Sequence, residues 1–155
     1  MTDAQLFGLA NAVPLLGWLA LCAAPLARAG TVAAARVVAV VLAVGYGVMV
    51  SAALATAGRA LPDLTTLSGL ARAFSDPHVM LIGWVHYLAF DLWTGAWEVE
   101  EAGRRGMPHR AVLPCLVLTF LAGPIGLVLF LLLRTGWRRA LGEGPPESRS
   151  GSRAS

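Results

Sequence analysis

The sequence contains no lysine, and all twelve of its basic side chains are arginine. Charged residues make up only 14% of the chain, whereas soluble domains carry about 25%. The two cysteines, Cys22 and Cys115, belong to no CxxC or Cys/His motif, and the three histidines show no HxxxH or ExxH spacing. The sequence therefore predicts no disulfide, no bound metal and no cofactor.

The arginines lie at the ends of apolar segments and in the C-terminal part, not along one face of a soluble domain. Nucleic-acid binding is therefore not predicted, and a role as membrane-flanking anchors is favoured. In a four-crossing arrangement the arginines near the helix ends divide five against five. The positive-inside rule then gives no orientation, and we place both termini in the cytoplasm.

Four long apolar blocks occupy most of the chain, which is 57% hydrophobic. They run over about 6–26, 32–57, 78–97 and 111–133, and each has the length of about 20 residues that crosses a membrane. We therefore predict an all-α polytopic membrane protein, a four-transmembrane-helix bundle forming one domain over residues 1–136. No basic residue precedes the first block, which favours a retained helix over a cleaved signal peptide. The Gly/Ser/Pro-rich segment 137–155 is predicted to be disordered.

The segments that join these blocks carry helical signals of their own. Apolar side chains recur at spacings of three and four over residues 64–74, which predicts a short amphipathic helix on the membrane surface, either a lid or a plain linker. Glu/Arg pairs at a spacing of four extend the third helix to about residue 105. Gly106 then predicts its end, and Pro108 the start of the next helix.

Two ionisable residues lie inside the third block, in the sequence GWVHYLAFDLW at 83–93. An aspartate near the centre of a membrane helix costs about 2.5 to 3.5 kcal/mol, so Asp91 is expected to face a partner or a polar cavity. Tyr87 lies one turn before Asp91 and can meet it. His86 and Asp91 are five residues apart and so point to different sides of a straight helix. They are not expected to touch, but both could border one cavity that other helices enclose. The face of Asp91 also carries Trp84, Gly95 and Glu98.

Three interpretations of this pattern stay open. Asp91 and His86 could bond to facing helices through Asn11, Ser51 or Thr119, or they could act as an acid/base pair on an apolar substrate. A metal site from His86, His109 and the carboxylates of EVEE is the least favoured.

Glu98 and His109 lie near the predicted membrane boundary on the same side, so they could meet across a helix hairpin. In the fourth block, GPIG at 123–126 interrupts the helix. Such a break either borders a crevice or allows close helix packing.

A series of polar, glycine and proline landmarks follows in order along residues 77–134: Gly83-Trp84-x-His86-Tyr87, Asp91, Trp97-Glu98, Arg105-Gly106-x-Pro108-His109, Pro114, Thr119-Phe120 and Gly123-Pro124-x-Gly126. These landmarks resemble the abscisic-acid-deficient-four-like family, and the layout agrees over about residues 5–135. The family comprises small four-helix membrane proteins whose plastid members are required to form neoxanthin from violaxanthin.

The resemblance implies a carotenoid isomerase that converts an epoxide end group into an allenic alcohol. On that basis we assign Asp91 as the acid and His86 as the base. The substrate-binding residues are then Trp84, Tyr87, Phe90, Trp93, Gly123 and Gly126. The supporting polar residues are Glu98, His109 and Thr119.

The lysine-free composition and the lack of a transit extension indicate a bacterial inner membrane. The substrate is then another carotenoid or isoprenoid, and membrane lipid is the other expected partner. A non-catalytic protein that binds carotenoid or lipid, or assists assembly, is the main alternative. A small oligomeric transporter is the second alternative. The sequence does not decide whether the protein forms a homo-oligomer.

Overall fold

The computed structural model describes residues 2–56 and 63–140, and within these ranges it contains six helices and no strand. The helices are α1 (Asp3–Cys22), α2 (Ala24–Thr56), α3 (Leu67–Phe74), α4 (Pro77–Arg104), α5 (His109–Ala122) and α6 (Pro124–Ala140). The predicted all-α class is confirmed for this part of the chain.

The first two helices follow each other almost directly. α1 begins with a capping box, in which the Thr2 hydroxyl accepts from the Gln5 backbone N–H and the Gln5 side chain accepts from Thr2 N–H. The predicted break between the first and second blocks, around residues 27–31, coincides at its start with a kink at Ala27, where φ is −159° and ψ is 68° and the backbone is not helical. Helical structure resumes before this kink, because α2 begins at Ala24. Pro25 fits this early start, since a proline in the first turn removes no helical hydrogen bond.

Helices α1 and α2 are the two in the described chain that are long and apolar enough to cross a membrane. Their outer faces carry large apolar side chains that are between 61% and 66% exposed: Leu16, Leu19, Val37, Val44 and Val48. A continuous exposed surface of this kind suits contact with lipid better than contact with water.

The short helix α3 confirms the amphipathic helix predicted between the second and third blocks. Its N-terminus is capped by Thr66. Hydrogen bonds from Thr65 and Thr66 to the exposed Asp63 carboxylate lower the pKa of Asp63 to about 2. Phe74 of α3 packs on α4 at Gly83, where a Cβ atom would overlap the phenyl ring.

Helix α4 packs against α1, α2 and α5 and ends as predicted. The two Glu/Arg pairs of its last turns form, with N–O distances of 3.3 and 2.6 Å. Gly106 follows with a φ of 64°, a left-handed conformation that favours glycine. The buried face of α4, which includes Leu92, Ala96 and Val99, belongs to the main apolar core.

Two contacts show which helix ends lie together. Asp3 Oδ1 lies 2.9 Å from His78 Nδ1, so the start of α1 meets the start of α4. His109 Nε2 lies 3.2 Å from the backbone oxygen of Cys22, so the end of α1 meets the start of α5. We name these opposite ends of the molecule the Asp3 end and the Cys22 end.

The prediction of one helix over 111–133 is wrong, because α5 and α6 form an antiparallel helical hairpin. Gly123 is non-helical, with φ 11° and ψ −78°, and Pro124, which lacks an N–H, starts the returning helix. With 14 and 17 residues, each helix is shorter than the roughly 20 residues of a membrane crossing. We call α5 and α6 together the hairpin.

The hairpin starts at the Cys22 end and returns to it. Trp137 Nε1 donates to the backbone oxygen of Arg105 at 3.2 Å, and Arg134 lies 3.4 Å from Glu101. The described chain therefore begins at the Asp3 end, and its last described residues lie at the Cys22 end. Residues 137–140, predicted to be disordered, belong to α6, and residues 141–155 lie outside the described part.

Candidate functional site

The tip of the hairpin packs against the middle of α4 at Asp91. A Cβ atom on Gly123 would overlap the Asp91 carboxylate, so this close approach depends on glycine. Asp91 Oδ2 is buried and has no hydrogen-bond partner in the described part of the chain. A buried carboxyl oxygen without a partner is costly in stability, which makes it a candidate for contact with a ligand.

A second carboxyl group lies two turns further along the same face of α4. Glu98 is fully buried, and its Oε1 accepts a hydrogen bond of 2.9 Å from the Thr119 hydroxyl of α5. No described residue bonds to its Oε2. Thr119 lies against Gly126 of α6, where a Cβ atom would overlap the threonine hydroxyl and backbone nitrogen. The two glycines of GPIG thus provide close packing at the tip.

Aromatic side chains continue this face from Asp91 towards the Asp3 end. The Tyr87 hydroxyl approaches the Asp91 carboxylate. Tyr87 also stacks on Trp84, with ring centroids 5.5 Å apart and an interplanar angle of 23°. Trp84 Nε1 donates to Asn11 Oδ1 of α1 at 3.1 Å, and its ring lies 6.3 Å from that of Phe7.

An apolar groove of about 400 Å³ opens between α1 and α4 at the Asp3 end. We call it the α1–α4 groove, and its lining includes Phe7, Met80, Leu81 and Trp84. The groove ends at Trp84, and the stacked rings of Trp84 and Tyr87 separate it from Asp91. The hairpin tip contacts α4 at Asp91, so the hairpin contributes no residue to the lining of this groove.

His86 lies on a different face of α4 from Asp91. Its ring centroid is 5.3 Å from that of Tyr46 of α2 and 4.7 Å from that of Phe90. Phe90 and Trp93 line a second apolar groove, of about 280 Å³, together with Ala39, Val40, Ala43 and Ala89. We call it the α2–α4 groove. The structure therefore does not bring the two residues assigned as acid and base together.

The meeting of Glu98 and His109 that the sequence allowed does not occur, since each bonds elsewhere. His109 Nε2 must carry the proton in its contact with the Cys22 carbonyl oxygen, because a carbonyl only accepts. Burial lowers the pKa of His109, nearby Arg28 lowers it further, and the bond to Cys22 partly opposes them.

The three polar side chains suggested as partners for Asp91 and His86 bond to other groups. Thr119 donates to Glu98, Asn11 accepts from Trp84, and Ser51 donates to the backbone of its own helix at Gly47. In residues 2–56 and 63–140, no group of three or more His, Cys, Asp or Glu residues is placed to hold a metal ion.

Sequence reasoning missed the Thr119–Glu98 bond and the hairpin that makes it. The available signal was Gly123-Pro124 in the middle of an apolar block, which is compatible with a kink as well as with a full reversal. Only the contacts of α6 with the last turns of α4 distinguish the two.

Together these features define an all-helical, membrane-associated protein with one half-buried and one fully buried carboxyl group beside a helical hairpin. Residues 5–130 match the family described as ABA DEFICIENT 4-like. The chain belongs to this family, and the resemblance seen in its landmark residues is confirmed. Searches of curated proteins and of solved structures found no match.

Proposed function

We propose that the protein is an intramembrane isomerase of a carotenoid or related isoprenoid, with Asp91 as the group that moves the proton. Family membership suggests a membrane protein like those of neoxanthin synthesis. The observation that carries the proposal is the buried, unpartnered Oδ2 of Asp91, which the stacked rings of Trp84 and Tyr87 separate from the apolar α1–α4 groove.

One carboxyl group can perform the whole rearrangement. Asp91 in its acid form donates a proton to the epoxide oxygen while the carbon–oxygen bond next to the polyene breaks. The resulting cation is delocalised over the polyene. The Asp91 carboxylate then removes a proton from the neighbouring chain carbon, which forms the allene and restores the acid. Substrate and product have the same formula, so no oxidant or reductant is needed.

The surroundings of Asp91 support this chemistry. The faces of Trp84 and Tyr87 can stabilise the cation, since aromatic rings attract positive charge. The α1–α4 groove offers an apolar bed for the polyene. Glu98 and Thr119 hold the hairpin against α4 and act as positioning residues. His86 has no place in this scheme, because it faces α2.

The membrane arrangement is part of the same proposal. α1, α2 and α4 each cross the bilayer, and the hairpin enters from the Cys22 end and returns to it. A backbone reversal at membrane depth is tolerated where protein surrounds it, and α4 packs on the tip at Asp91. Asp91 then lies near mid-membrane, and a hydrophobic substrate enters through the α1–α4 groove and reaches Asp91 past Trp84 and Tyr87.

The test uses Asp91→Asn in a host that makes several carotenoids, epoxides among them. We expect the native chain to give a new pigment of unchanged mass, and Asp91→Asn to reduce its yield at least about 100-fold, as loss of an acid/base group does. Asp76→Asn is the matched control, because asparagine caps a helix as well as aspartate does. His86→Ala should keep most of the yield. Full yield from a folded Asp91→Asn protein would refute the proposal.

A second candidate is non-catalytic binding of a carotenoid, favoured by the α2–α4 groove with its exposed Phe90 and Trp93. In that case pigment co-purifies unchanged with both the native chain and Asp91→Asn. Ala43→Trp, which fills this groove, should then remove the pigment. If the isomerase proposal is right, Ala43→Trp leaves product formation largely intact.

A further inference from the structure

A cleft lined by arginines opens at the Cys22 end, between the first part of α2 and the last turns of α4. Its volume is about 720 Å³. Its charged residues are Arg28, Arg36, Arg104 and Glu100, and Ala29, Val32, Ala33 and Gly103 complete the lining. We call it the arginine cleft. None of the chemistry proposed at Asp91 uses it.

The charges in the arginine cleft do not balance. Arg36 and Arg104 both pair with the single carboxylate of Glu100, at 2.6 and 3.3 Å. No ion pair within the described ranges involves Arg28. Three arginines facing one glutamate leave a formal surplus of two positive charges, which suits an anion.

Two of the three arginine side chains, Arg28 and Arg36, are partly buried, whereas the Arg104 side chain is 69% exposed. The Nε atoms of Arg28 and Arg36 are buried, and neither donates to a group of the described chain. Arg28 lies against Gly103 of α4 so closely that a Cβ atom there would overlap its guanidinium group. A guanidinium offers N–H donors in a fixed fork that matches the oxygens of a phosphate.

The position of the cleft also points to a phosphate. It adjoins the junction of α1 and α2, the two helices suited to crossing the membrane, and Leu26 beside it is 88% exposed. A cleft at such a junction lies at the depth of lipid headgroups. Basic pockets between membrane helices bind the headgroups of anionic lipids.

We propose that the arginine cleft binds a phosphate group, with Arg28 as the main ligand and Arg36 and Arg104 supporting it. A lipid headgroup and a soluble phosphate ester present the same oxygens, and the position of the cleft favours the headgroup. The site is independent of the isomerase chemistry, so the failure of either proposal leaves the other standing.

The main experiment compares phosphatidylglycerol with phosphatidylcholine bound to the full chain in detergent, measured by native mass spectrometry. We expect the native chain to prefer phosphatidylglycerol, and Arg28→Gln to weaken that preference about fivefold, the effect of about one arginine near an anionic headgroup. The matched control is Arg110→Gln, which removes an exposed charge at the same end but outside the cleft. The proposed site would be refuted if Arg28→Gln and Arg110→Gln weakened the preference for phosphatidylglycerol equally, or if the native chain showed no such preference.

A second variant tests the geometry without changing the charge. Gly103→Ala should displace the Arg28 guanidinium and lower the preference by a similar factor, while Gly30→Ala, whose added methyl group meets nothing within 4 Å, should not. Circular dichroism melting confirms that each variant is folded. Undiminished preference in a folded Gly103→Ala protein contradicts a preformed site.

Soluble glycerol phosphate provides the last arm of the test. If glycerol phosphate displaces the lipid from the native chain at a similar concentration, and Arg28→Gln weakens its binding, the ligand is a free phosphate ester. If only the lipid binds, the ligand is a headgroup in the membrane.

Discussion

At the residue scale, two carboxyl groups on one face of α4, half-buried Asp91 and fully buried Glu98, differ in how they are held. Each group has one buried oxygen without a partner in the described chain, Oδ2 of Asp91 and Oε2 of Glu98. The difference lies in the neighbours: Glu98 Oε1 accepts from Thr119 of the hairpin, whereas the hydroxyl that approaches Asp91 is that of Tyr87 on α4 itself. Buried polar groups normally find partners, because an unmade hydrogen bond costs about 1–3 kcal/mol. The bond to Thr119 lets Glu98 fasten the hairpin to α4, whereas Asp91 lies at the hairpin tip and is the carboxyl group for which we propose contact with a ligand.

The Thr119–Glu98 bond can be tested with a near-isosteric change. Thr119→Val removes the hydroxyl, leaves Glu98 Oε1 without its donor, and should destabilise the protein by about 1–3 kcal/mol. Thr119→Ser keeps the donor and should cost less, about 1 kcal/mol for the lost methyl group. Thermal unfolding in detergent measures both. If both variants lost the same stability, Thr119 would contribute through packing and not through its hydrogen bond.

His109 should make stability depend on pH. Burial places the pKa of folded His109 below its usual value of 6.5, so the unfolded chain binds the proton at a higher pH than the folded chain does. Stability should therefore fall as the pH drops through 6.5 towards the folded pKa. His109→Gln should flatten this part of the curve of melting temperature against pH. An unchanged slope in the variant would assign the effect to another group.

At the element scale, the hairpin is where local sequence and final structure diverge most. Residues 111–133 have the length and hydropathy of one membrane crossing, yet the chain reverses at Gly123 and Pro124. The reversal is stabilised by contacts far apart in sequence, Thr119 to Glu98 and Trp137 to Arg105. By contrast α3 and the end of α4 depend on neighbouring residues, and both were predicted.

Two glycines of α6 provide a matched test of the hairpin. Gly126→Ala places a methyl group against the Thr119 backbone nitrogen and should destabilise by about 1–3 kcal/mol, as overpacking does. Gly136→Ala meets nothing within 4 Å and should be neutral or stabilising by up to about 1 kcal/mol. Melting temperatures of the two variants give the comparison. Similar values for both would mean that α5 and α6 do not pack as described.

At the scale of the whole molecule, the hairpin changes the distribution of charge. Because α6 returns to the Cys22 end, that end carries Arg28, Arg36, Arg104, Arg105, Arg110 and Arg134, and the Asp3 end of the described chain carries Arg72. The even tally of a four-crossing arrangement no longer holds. By the positive-inside rule, we predict that the Cys22 end faces the cytoplasm.

Labelling with a membrane-impermeant maleimide tests this orientation. Arg110→Cys and Ser68→Cys, each in a Cys22→Ala, Cys115→Ala background, place single thiols at the Cys22 end and on α3. In intact cells only the α3 thiol should react, and in inverted vesicles only the thiol at position 110. Labelling of both from one side would contradict the crossing pattern.

The sequence alone determined the helical class, the membrane environment, the family, the surface helix, and the extent of α4 with its Glu/Arg pairs. These follow from hydropathy, spacing and capping, which act over a few residues. Only the tertiary structure decided that Asp91 and His86 face different helices, that Glu98 bonds to Thr119, and that the fourth block folds back on itself. Those outcomes depend on contacts between helices. Local hydropathy does not reveal them, because it does not show which glycine allows a neighbouring helix to approach closely.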